Sequence, residues 1–179
     1  MTPGHSRRHP RRRPGPIALL TLALALGLSL AGCRGGMETP EQTLETLRSA
    51  TAAGDGATFY SGLESETQAY LKDSLRVWKA RLERGDQDPE FLGSLPLEPA
   101  AIRDGDLDEL AILWLTLDNP LGRHADWFDQ ATVTPGGESP SERERSLLLR
   151  GRDGSERVMW FLFENDRWSL DYLRTEWLH

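Results

Sequence analysis

Of 179 residues only one, Cys33, is a cysteine, so no disulfide can form within the chain. Zinc sites built on several thiolates are excluded on the same ground. Lysine is almost missing too: Lys72 and Lys79 are the only two, and arginine carries nearly all the positive charge. Histidine is sparse, with four residues, two of them in the first ten positions. No apolar run reaches the roughly 20 residues that a bilayer-spanning helix needs. The longest, IALLTLALALGLSL over residues 17–30, stops at about 14.

What is present is strongly asymmetric. Residues 1–32 hold five arginines (Arg7, Arg8, Arg11, Arg12, Arg13) and no acid, whereas residues 33–179 hold 16 basic and 28 acidic side chains. An acidic body is unsuited to neutralising phosphates, so nucleic acid is not an expected partner. Six tryptophans, all beyond residue 77, supply enough apolar area for a core.

The N-terminus reads in three parts: a basic stretch over residues 5–13, the apolar run, and Leu30-Ala31-Gly32-Cys33. That is the layout of a secretory signal peptide, with the positive end retained in the cytoplasm. Leu30-Ala31-Gly32-Cys33 resembles the lipobox of bacterial lipoproteins. The resemblance implies cleavage between Gly32 and Cys33 and acylation of the Cys33 thiol. Two or more acyl chains hold a protein stably on a membrane where one does not. It also implies a cell-envelope location; Arg34 after the cysteine, in place of Asp, favours the outer membrane if the organism has one. The divisions expected are a signal peptide over 1–32, a lipidated tether over 33–38 with Gly35-Gly36, and a single domain over 39–179.

Within that domain, Thr39-Pro40-Glu41-Gln42 opens a helix that Gly54-Asp55-Gly56 stops. Ala57 to Leu63 reads as a short helical piece. Ser65 with Gln68 forms a second capping box, before a helix with Leu71, Leu75, Trp78 and Leu82 on one face. Residues 86–100, with Pro89, Pro96 and Pro99, read as loop. Asp104 to Glu109 is an acidic loop that departs from a calcium loop at Glu109 and Leu115. Leu110 to Leu117 reads as a strand, with a helix starting near Pro99 as the rival, and residues 126–133 as a second strand. Residues 134–143 read as loop.

Three strands follow: 146–151, 157–164 and 167–173. They are joined by turns at Asp153-Gly154 and Asn165-Asp166. A two-residue Asn165-Asp166 turn sets Phe163 opposite Trp168, Phe161 opposite Leu170 and Met159 opposite Tyr172, making one face apolar. The same rule sets Arg150 opposite Arg157. The fold class is therefore α+β, with N-terminal helices packed on a curved antiparallel sheet.

Residues 39–60, TPEQTLETLRSATAAGDGATFY, and 159–173, MWFLFENDRWSLDYL, resemble the opening helix and closing hairpin of the NTF2-like superfamily. The resemblance implies a cone-shaped sheet enclosing a cavity. It admits both non-catalytic binding or assembly modules and isomerase- or dehydratase-type enzymes. No cofactor-binding motif, Ser-His-Asp order or paired metal ligands occur. His124 and Asp126, with Asp129 nearby, are the candidates for acid–base work. Trp160 is the candidate pocket-lining residue on the mixed face of the last hairpin. The reading is a lipid-anchored envelope module that contacts the membrane through Cys33 and binds an envelope protein or small hydrophobic ligand. The alternative is a small cavity enzyme using Asp126 or His124.

Overall fold

The computed structural model describes residues 37–137 and 139–175. Leu30-Ala31-Gly32-Cys33, the tether up to Gly36, Trp177 and His179 lie outside the described residues.

Helix α1, Pro40–Ala53, starts where Thr39 accepts the amide of Gln42 at 3.2 Å. The Gln42 side chain reaches back past the cap to accept the amide of Glu38, a variant of the reciprocal capping box. Gly54 ends the helix at φ +66°, which glycine tolerates without strain. Helix α2, Gly56–Ser61, is capped by Asp55. Helix α3, Ser65–Glu83, buries Leu71, Leu75 and Leu82 as the spacing predicts. Its cap is one residue earlier than expected. The buried Glu64 carboxylate accepts the Glu66 and Thr67 amides, while Ser65 donates to Glu164 and Gln68 to the Tyr60 and Leu63 carbonyls.

The middle of the chain corrects the sequence reading. Residues 86–100 are not all loop: they contain α4, Pro89–Ser94, and the start of α5, Pro99–Asp104. Each opens on a proline at the first helical position, where the missing amide costs nothing. They bury Phe91 and Ile102. Leu110 to Leu117 is not a strand but most of helix α6, Leu107–Leu117. Asp106 caps it, accepting the amides of Asp108 and Glu109 at 2.9 and 3.3 Å, and both acids sit in the first turn where the helix dipole favours them. The supposed acidic loop is thus a helix start. Residues 126–133 are mostly helical as well: a 3-10 turn, Gly122–His124, leads into α7, Ala125–Gln130.

Four strands form one antiparallel sheet in the order β1-β2-β3-β4: Thr132–Pro135, Glu144–Arg150, Glu156–Glu164 and Arg167–Asp171. Between β3 and β4 the register is the one expected, with Phe163 opposite Trp168, Phe161 opposite Leu170 and Glu164 opposite Arg167. The ladder ends at the Trp160–Asp171 pair, before Met159 and Tyr172. Asn165 and Asp166 take φ +51° and +60°, as a two-residue turn of this type requires. The β2–β3 hairpin departs from expectation. Residues 151–155 form a longer loop, which sets Arg150 opposite Glu156 instead of Arg157 and replaces a repulsion with an ion pair.

The molecule is α+β, with helices against one face of an open four-stranded sheet. That face contributes Leu147, Leu149, Met159, Phe161 and Leu170, which share a single buried cluster with Leu44, Leu47 and Phe59. The outer edge of β4 is covered. Trp168 donates its amide to the Met37 carbonyl, and Leu170 exchanges backbone bonds with Gly62 and Glu64.

Candidate functional site

Helix α6 is held by neighbours on two sides. Against α2 the approach is so close that a Cβ on Gly56 would lie 2.4 Å from the Ile112 carbonyl oxygen. Against α3, Trp78 and Trp114 pack with ring centroids 5.1 Å apart and planes tilted by 54°. Between α2, α3 and the C-terminal half of α6 the packing opens into a cavity of about 210 Å³. Its walls are Phe59, Leu63, Leu71, Leu115 and Trp114. Tyr70, Thr67, Pro120, Asp118, Arg123 and Tyr172 complete it.

The polar end is built by a short turn. Asn119 accepts the Leu121 amide at 2.9 Å through its side chain, a local bond that folds the chain back. Arg123 thereby returns to Asp118, and its guanidinium donates from Nε to Oδ1 at 2.9 Å and from Nη2 to Oδ2. This two-pronged pairing holds the Asp118 carboxyl below, and the Arg123 guanidinium above, their ordinary ranges. Tyr172 follows β4, and burial pushes its phenol up, against the opposing charge of Arg123 and with smaller additions from Tyr70 and Asp118. The Thr67 hydroxyl donates to Glu64 at 2.6 Å.

At the opposite end of α6 lies a second polar group. The Tyr60 phenol donates to Asp108 at 2.8 Å, and Lys72 lies 3.1 Å from the same carboxylate. Burial, then the bond to Asp108, raise Tyr60; the bonds from Tyr60 and Lys72 lower Asp108.

His124 and Asp126 are exposed, as is Asp129, and neither His124 nor Asp126 is among the residues lining the cavity. Trp160 is not among them either. It lies on the sheet face away from the core, half-buried, with the Arg174 guanidinium 3.5 Å above its ring. Arg174 in turn reaches Glu144 at 3.2 Å.

The residues that do form the site were not singled out in the sequence. Asp118 and Arg123 carried one usable signal, opposite charges five apart across an Asn-Pro turn. Tyr70, Trp114 and Tyr172 carried none beyond being aromatic. Among the described residues lining the cavity there is no histidine or cysteine, and the one carboxylate is tied to an arginine, an arrangement that suits binding better than proton transfer. Among the described residues no group of three or more His, Cys, Asp or Glu could hold a metal ion. No helix among them is long and apolar enough to cross a membrane. Compared with protein families, curated proteins and solved structures, the chain matches none.

Proposed function

We propose that this protein is a lipoprotein of the bacterial cell envelope, anchored through acylated Cys33, whose NTF2-like domain binds a small apolar ligand. The observation that carries the binding role is the aromatic-walled cavity of about 210 Å³ beside α6. Binding sites are typically concave, mostly apolar and furnished with a few polar groups, and this one has that make-up. Helices against one face of an antiparallel sheet are compatible with the cone-like architecture that the sequence resemblance implies. The exposure of His124 and Asp126 leaves the enzymatic alternative without an enclosed site.

Neutral aromatic compounds should raise the melting temperature of the full chain, and Tyr70→Ala, which removes a half-exposed wall, should weaken that effect. A panel of such compounds that leaves the melting temperature unmoved refutes the binding role. For the anchor, cells fed a fatty-acid probe should label the wild type and not Cys33→Ser; equal labelling refutes it.

A further inference from the structure

The mouth of the cavity carries a charge arrangement that its apolar walls do not require. Asp118 stands at the C-terminal cap of α6, where the helix dipole disfavours a negative charge. Arg123 neutralises it with both prongs of its guanidinium. An unpaired arginine at this mouth would be a strong lure for a carboxylate or phosphate. Paired to Asp118, it is not. The surroundings point the same way: burial raises the carboxyl of Asp171, the residue before Tyr172, and the carboxylates of Glu64 and Glu66 add to it while Arg174 opposes them. Residues 33–179 carry 16 basic against 28 acidic side chains, so the field opposes an approaching anion.

Size narrows the ligand further. An apolar cavity of roughly 150 Å³ accepts benzene. A cavity of about 210 Å³ has room for two fused rings or an aliphatic equivalent.

We propose that the cavity selects an uncharged, largely apolar ligand the size of a bicyclic ring system, and that Asp118 sets this selectivity by occupying Arg123. The proposal rests on the ligand-binding role above. It assigns Asp118 as a specificity-determining residue.

The test uses two probes of nearly the same shape: 2-naphthol, neutral at pH 7, and 2-naphthoate, an anion. Calorimetric titrations are run on the full chain, wild type and variants in the same detergent, and each probe's partition into protein-free micelles is measured separately and subtracted. The wild type should bind 2-naphthol at least tenfold tighter, because an unpaired carboxylate loses hydration that the walls do not replace. Asp118→Asn should shift the ratio of the two affinities about fivefold in favour of 2-naphthoate, the scale of a partly exposed ion pair, through a gain for 2-naphthoate. Adding Arg123→Gln to Asp118→Asn should abolish the gain.

Equal binding of the two probes by the wild type overturns the selectivity and leaves the binding role standing. An Asp118→Asn protein that gains nothing for 2-naphthoate, or loses both probes, overturns the assignment to Asp118. A wild type that binds neither probe overturns the binding role and the selectivity with it.

Discussion

The two ends of α6 are built from the same chemistry and differ in what lies behind it. Each has a carboxylate, a cation and a tyrosine: Asp108, Lys72 and Tyr60 at one end, Asp118, Arg123 and Tyr172 at the other. At the first end the phenol bonds the carboxylate directly. At the second the arginine takes the carboxylate, and a cavity lies behind the pair. A polar cluster therefore says nothing about a binding site until the volume beneath it is known. Gly56 lets α2 and α6 touch at Ile112 and Thr116, while Phe59, Tyr70 and Trp114 line the cavity on the side facing α3.

The largest effect should come from emptying the wall further. Phe59 is fully buried and borders the cavity, so Phe59→Ala should cost about 3–5 kcal/mol in chemical denaturation. A loss under about 1 kcal/mol would mean that the cavity collapses freely and is no site. Gly56→Ala attacks the closed contact instead. Its new methyl meets the Ile112 carbonyl and Thr116, and the expected loss is about 1–3 kcal/mol, with little change in 2-naphthol affinity. Equal loss of binding and stability would erase the distinction between the two regions.

Charge removal comes next. Asp108→Asn and Asp118→Asn should each cost under about 1 kcal/mol, since both pairs are partly exposed. The sign with pH follows from the lowered carboxyl groups. Their contribution is complete above the ordinary aspartate range near pH 4 and is lost as pH falls through the depressed folded values. Melting curves between pH 5 and pH 2 should therefore drop more steeply for wild type than for the double Asn variant. At high pH the tyrosines separate the two ends. Tyr60 and Tyr172 are both raised, so the stability they lend is present below about pH 10 and fades as pH climbs through the folded values. Asp108→Asn should bring the Tyr60 absorbance titration down and leave Tyr172 unmoved. A shift in both would couple ends that the structure keeps apart.

The smallest effect is expected at the residues that sequence alone favoured. His124→Ala and Asp126→Asn should each change stability by less than about 0.5 kcal/mol and leave 2-naphthol binding within twofold, both side chains being exposed. A tenfold loss of binding in either would return that segment to the site.

How much of this was legible varies along the chain for physical reasons. The β3–β4 turn and register were readable as far as the Trp160–Asp171 pair, because Asn165-Asp166 tolerates positive φ and a one-residue slip would turn Phe161 and Leu170 outward. The β2–β3 register was not, because a longer loop relieves the Arg150–Arg157 clash that a two-residue turn imposes. Helix α6 was missed because LAILWLTL is apolar on nearly every side, and periodicity cannot then separate helix from strand. The deciding information lies just upstream in Asp106, Asp108 and Glu109, a cap and an acidic first turn whose composition also fits a loop. The cavity was illegible for a deeper reason: it is a gap between three helices, and no single stretch of sequence encodes a gap.

The covered edge of β4 has a mechanical consequence. Met37, the first described residue, is bonded through its carbonyl to Trp168, and the Thr43 hydroxyl bonds the Trp168 carbonyl at 3.0 Å. A pull applied at residue 37 is thus passed sideways into the last strand of the sheet before it can peel α1 away. Load entering at residue 37 would therefore meet the strand that closes the sheet first.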